Sequence, residues 1–172
     1  MIILGIDPGT AITGYGVIES NQGKLKVVDY GCILTDKKLK MPERLDFLGE
    51  ELEKIIKKYK PQAMAVEELF FFKNAKTIIT VGQARGVILF VGKNVGKKTN
   101  KKQGLDIYEY TPLQVKQAVV GYGRAEKKQV QQMVKAILGL DEIPKPDDVA
   151  DALAVAICCA SSLKFEGKVN GK

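Results

Sequence analysis

Met1-Ile-Ile-Leu-Gly-Ile-Asp-Pro-Gly-Thr10 sets the reading of the whole chain. Ile2, Ile3, Leu4 and Ile6 make an apolar, largely β-branched run of strand length. A strand apolar on both faces belongs in the middle of a sheet covered on both sides. Pro8 stops ladder pairing and Gly9 permits a tight turn, so Asp7 is expected to end the strand. Open α/β sheets place their sites at the C-terminal ends of strands. Asp7 is then either a turn cap, bonding a backbone N–H two residues on, or a member of a site. The choice depends on whether other carboxylates reach the same place.

Working outward, residues 13–20 and 24–35 read as two more strands, joined by the hairpin signal Asn21-Gln22-Gly23. Connections this short make the three an antiparallel meander. The period then changes. Leu45, Leu48, Leu52, Ile55, Ile56 and Tyr59 fall on one face of a helix over residues 42–59. Gln62-Ala-Met-Ala-Val-Glu67 is a short apolar strand that again finishes in a carboxylate. A strand, a crossover helix and a further strand imply right-handed parallel pairing.

Residues 74–93 predict a second helix, and its Gly82-Gln-Ala-Arg-Gly86 segment would let another helix approach closely. Residues 93–104, rich in lysine and glycine, are expected to form a mobile basic loop. A fifth strand follows over 105–110, and Thr111-Pro112 starts a helix by N-cap and N1 logic. Two more helices are expected over 125–138 and 147–163, with a polar, frayed tail over 164–172. The fold class expected is therefore α/β: one domain over 1–163, with a five-stranded mixed sheet in order 3-2-1-4-5 and helices on both faces.

Composition narrows the chemistry. The 172 residues suffice for one well-packed domain and would cramp two. A net charge of +7 leans towards a polyanionic partner. No apolar run reaches membrane-spanning length, and the chain enters a strand at once, so neither membrane anchor nor signal peptide is expected. Cys158 and Cys159 are adjacent and Cys32 is remote, which is no disulfide framework and fits a reducing, cytoplasmic setting. There is no histidine. That removes Ser-His and Cys-His nucleophiles and histidine-ligated zinc. Any chemistry must run on carboxylates, lysines, hydroxyls or a hard metal ion.

If the first and fourth strands are parallel neighbours, their ends lie roughly 5 Å apart and Asp7 and Glu67 become adjacent. Asp148 and Asp151 sit three apart and project from one face of the last helix's first turn. Acids there also suit the helix dipole, which is the plain alternative to a site. Four carboxylates together repel one another, and hard divalent cations with oxygen ligands relieve that repulsion. Two such ions roughly 4 Å apart can activate water and stabilise the leaving oxygen in phosphodiester hydrolysis.

Several stretches, in order, resemble the RuvC family of Holliday-junction resolvases, which are RNase H-like nucleases. They are Gly5-Ile-Asp-Pro-Gly-Thr10, Val66-Glu-Glu-Leu-Phe70 with Lys73-Asn74, and Gly82-Gln-Ala-Arg-Gly86. Tyr110-Thr-Pro-Leu-Gln-Val-Lys-Gln-Ala-Val-Val-Gly-Tyr-Gly123, Glu126-Lys127 and Asp148-Val-Ala-Asp-Ala-Leu-Ala154 complete the set. The resemblance covers nearly the whole chain, and residues 110–123 are its most specific part.

It implies that Asp7, Glu67, Asp148 and Asp151 are the catalytic, metal-binding residues, with two Mg2+ ions and Mn2+ as a substitute. Asp147 and Glu68 stand beside them, so a shift of one residue is an open alternative. Lys116 and Lys127 would contact phosphate, the plain alternative being a solvated helix face. Phe70 would sit at the junction centre, although Phe70, Phe71 and Phe72 read from the residues alone as core. Arg85 would join the DNA-binding set. The implied partners are four-way junction DNA, a second copy of the chain in a homodimer, and a junction branch-migration helicase. The activity implied is paired symmetric nicking in recombination and repair. The basic segment 93–104 is longer than the family's, and is either a DNA contact or a solvated insertion, the second preferred.

Three other readings compete. One is a different RNase H-like nuclease, which should lack the pattern of residues 110–123. Another is half of an actin-like or sugar-kinase ATP-binding protein, which needs a second half that 172 residues leave no room for. The third is a junction-binding module without catalysis, disfavoured by the presence of all four acids.

Overall fold

Gln22 and Gly23 both take positive φ, 50° and 86°, and turn the chain between its second and third strands. That pair of left-handed residues matches the twist of a two-residue hairpin. The computed structural model describes residues 1–68, 75–99 and 104–169. Its elements run β1 (Ile2–Asp7), β2 (Ile12–Asn21), β3 (Lys24–Leu34), α1 (Met41–Tyr59), β4 (Ala63–Glu67), α2 (Ala75–Thr99), β5 (Asp106–Tyr110), α3 (Pro112–Val120), α4 (Lys127–Leu138) and α5 (Asp147–Val169). β1 pairs antiparallel with β2 and parallel with β4. The sheet order is β3-β2-β1-β4-β5, as expected from the meander followed by two crossovers.

The period of two along each strand divides the core. Leu4 and Ile6 of β1, with Met64 and Val66 of β4, pack with Leu48, Leu52 and Ile56 of α1 and Ala84 and Ile88 of α2. Ile3, Ala63 and Ala65 face the other way, towards α3, α4 and α5. Residues 149, 150 and 152–160 of α5 are all buried, so this helix is the spine of the second layer. Its many alanines let it lie close to the sheet.

Two boundaries differ from expectation. The segment 93–99, expected in a mobile loop, is the last part of α2. Gly92 packs on Met64 and Ile107, and Val95 enters the core, so packing carries the helix onward. Lysine is itself a good helix former. Residues 100–103 lie outside the described residues. α5 continues to Val169, past the expected end at 163 and into the segment expected to be a frayed tail.

Candidate active site

Asp7 follows Ile3 and Gly5 at a spacing of two, and Glu67 follows Ala63 and Ala65 in the same way. Both carboxylates therefore leave their strands on the face covered by α5. The parallel register pairs Ile3 with Ala63 and Gly5 with Ala65, and its continuation sets Asp7 level with Glu67. The first turn of α5 brings Asp148 and Asp151 to the same end of the sheet. Gly14 of β2, the partner of Asp7 in the ladder, fixes their closeness. A Cβ on Gly14 would occupy the position of the Asp148 carbonyl oxygen.

The turn after Asp7 is tied down from three sides. Thr13 Oγ1 donates to the Gly9 carbonyl at 2.6 Å. Arg44 of α1 donates through Nη2 to the Thr10 carbonyl at 2.7 Å and through Nε to Thr35 Oγ1 at 2.8 Å. The Thr35 hydroxyl donates to the same Thr10 carbonyl.

The electrostatics follow from this crowding. Burial, then the charges of Glu67, Asp151 and Asp148, push the Asp7 carboxyl from 3.8 to about 8, with Lys127 partly offsetting them. Burial, then Asp151, raise Glu67 from 4.5 to about 7 against the pull of Lys127 and Lys116. Asp151 is also raised, first by burial, although Lys127 draws it down. Glu67, Asp151, Lys116 and Lys127 line one cleft, with Pro112, Val115, Val130 and Ala154 as its apolar wall.

Lys116 projects from α3, whose start is fixed by a reciprocal cap. Thr111 Oγ1 accepts from the Gln114 N–H at 3.3 Å, and Gln114 Oε1 accepts from the Thr111 N–H at 2.8 Å. Lys127 opens α4, and its Nζ lies 2.9 Å from Asp151 Oδ2 and 3.3 Å from Asp147 Oδ2.

This donor set suits a hard divalent cation. Its groups are carboxylates, their charge is under-compensated, and one ammonium already sits against Asp151. The carboxylates do not close on a single point: among the described residues no three such donors stand near enough to hold one ion as they are.

The RuvC crossover junction endodeoxyribonuclease family model matches residues 3–159. The chain belongs to the RuvC family. A RuvC from Desulfitobacterium hafniense is 57% identical over 171 residues, covering 99% of both chains. One from Ruminiclostridium cellulolyticum is 60% identical over 162 residues, 94% of this chain and 93% of that one. Among solved structures, T. thermophilus RuvC in complex with a Holliday junction substrate matches with a TM-score of 0.84 at 31% identity, over 96% of each chain. The five-stranded sheet and its helices are therefore the RuvC, RNase H-like fold.

The remaining expected residues are less gathered. Arg85 of α2 is engaged by Glu109 of β5, on the sheet face away from α5. Phe70 lies outside the described residues. Asp147 is the exposed neighbour of the cluster and meets Lys127, whereas Asp148 is among the charges that Asp7 feels. Sequence reasoning missed Arg44, Gly14 and the part played by Asp147. The alternation Gly14-Tyr15-Gly16 inside a strand was a usable sign of a close helix crossing. Nothing in the sequence marked Arg44.

Proposed function

We propose that this chain resolves four-way DNA junctions by hydrolysing phosphodiester bonds with Asp7, Glu67, Asp148 and Asp151 as ligands for Mg2+, two ions per site, with Mn2+ as a substitute. The observation that carries this is the convergence of two strand-end carboxylates and a helical pair on one side of one sheet edge. Bound divalent ions would supply an activated water and stabilise the leaving oxygen. The chain's own groups do the rest. Asp7 and Glu67 are held by rigid strands, so their oxygens are placed before substrate arrives. Lys116 and Lys127 flank the cleft as phosphate contacts, and the apolar wall from Val115 to Ala154 keeps bulk water from one side. Phe70 is proposed to stack at the junction centre. Arg85 would reach DNA only by leaving Glu109.

Two copies are proposed to act together. Ile79, Gln83, Gly86 and Phe90 lie on one outward stripe of α2, with Ile79 64% and Phe90 69% exposed. Gly86 has nothing within 4 Å of where a Cβ would stand, which leaves room for a second helix. A two-fold pair would match the symmetry of the junction and cut opposed strands. A junction branch-migration helicase completes the proposed partners, and the proposed setting is cytoplasmic. No helix among the described residues is long and apolar enough to cross a membrane.

The test is Asp7→Asn on a synthetic immobile junction. The change is nearly isosteric and removes one ligand charge. Binding should stay within about twofold, since it rests on lysine–phosphate contacts. Cleavage should fall by about 10³-fold or more, the equivalent of about 4 kcal/mol of lost metal assistance. Magnesium-dependent nicking at the original rate would refute the assignment.

A further inference from the structure

Beyond the four acids, α4 and α5 meet through two pairs of residues one turn apart. Lys127 and Gln131 stand on α4, Asp147 and Asp151 on α5. The Lys127 ammonium bridges both aspartates, at 2.9 Å to Asp151 and 3.3 Å to Asp147. Gln131, which is buried, hydrogen-bonds Asp147 as well. Asp147 is exposed and adds no charge that Asp7 or Glu67 feels among its main influences. Within the cluster its charge reaches only Asp151, which it raises; its ion pair with Lys127 and its bond with Gln131 are to α4.

Lys127 is the cation that offsets Asp151 in this arrangement. A divalent ion that takes Asp151 Oδ2 displaces it. We propose that Asp147 is a positioning residue that retains the Lys127 ammonium at the cleft lip when a divalent cation takes Asp151. The inference rests on the four-acid reading above. With Asp147 in place, the displaced ammonium keeps a carboxylate partner, itself fixed by Gln131, and stays beside Lys116 where a phosphate would lie. Without Asp147, the ammonium has Asp151 as its sole partner and competes harder with the incoming ion. Asp147 therefore aids metal binding through Lys127, without being a ligand.

A double-mutant cycle on metal affinity tests this in the full chain without DNA. Calcium, a divalent ion with the same preference for oxygen ligands, is titrated by calorimetry at about 0.15 M salt, which screens long-range charge effects. Asp147→Asn should weaken calcium binding roughly three- to tenfold, a coupling of ordinary size for neighbouring charged groups. Lys127→Met should strengthen it, because the competitor is gone. In the Lys127→Met background, Asp147→Asn should change it by less than about twofold. Asp147→Glu, which keeps a carboxylate on that turn, should restore most of the loss.

An equal loss with and without Lys127 would overturn the proposal, because Asp147 would then act as a ligand or a bulk charge. An unchanged affinity in Asp147→Asn would overturn it too. If the unmodified chain binds no calcium, the four-acid reading itself fails and takes this inference with it. Thermal melting of each variant without metal separates a folding defect from either result.

Discussion

Asp7 illustrates how a single residue can be costly to the fold and useful to the site. Its carboxyl, held at about 8 by burial and by Glu67, Asp151 and Asp148, binds its proton more tightly folded than unfolded. The sign follows directly: that stabilisation is complete below the unfolded value near 4 and is lost as pH rises through 8. Metal-free protein should therefore melt at a falling temperature from pH 5 to 9. Asp7→Asn should flatten that fall and melt higher at pH 8 by about 5 °C, as about 1–2 kcal/mol would give in a chain of this size. Magnesium should raise the melting point of the unmodified chain at pH 8, since it binds only the folded form. Differential scanning fluorimetry in chelator and in magnesium reads all three, and a variant that melts lower at pH 8 would contradict the account. The sequence made Asp7 and Glu67 legible because each ends an apolar strand, and Asp148 with Asp151 legible through their spacing of three. It left a shift to Asp147 open, because that choice depends on the rotation of α5 about its axis, which tertiary packing sets.

Helix α5 is where local geometry becomes site geometry. Gly5, Gly14 and Gly16 offer no side chain beneath it, and Ala152, Ala156 and Leu153 take the space. The first turn, with Asp148 and Asp151, is thereby seated against β1 and β2. Gly14→Ala would force the Asp148 backbone away from the sheet. Overpacking of this kind costs about 1–3 kcal/mol, so melting should fall by roughly 3–10 °C. Misplacement of about 1 Å at a catalytic group can cost about 10²-fold in rate, and cleavage should drop by that order. Junction binding should persist. Normal cleavage by a stably folded Gly14→Ala would mean that α5 does not set the carboxylate positions. The strand order was readable from connection lengths and crossover handedness. The extent of α2 was not, because Gly92 and Val95 hold residues 93–99 helical through contacts with β4, β5 and the core. Composition alone made that segment look like a loop.

At the scale of the whole molecule, one site nicks one strand, and a resolved junction needs two cuts. The outward stripe of α2 is the feature of the described residues that best matches a second copy. Ile79 and Phe90 stand three turns apart with Gly86 between them, so two such helices could cross closely with an apolar contact on either side. In a two-fold pair each stripe would meet its own copy, so one substitution counts twice. Phe90→Asp would place two carboxylates in that contact and should convert the proposed dimer to monomer in sedimentation experiments at micromolar concentration. Because Phe90 is exposed in the single chain, melting of the monomer should change little. Each monomer keeps Asp7, Glu67, Asp148 and Asp151, so nicking should continue but lose its pairing. On a supercoiled plasmid carrying one junction, nicked circles should then accumulate ahead of linear product, whereas the unmodified chain should yield linear product directly. A Phe90→Asp variant that stays dimeric and still cuts in pairs would place the two-fold contact on another face of the molecule.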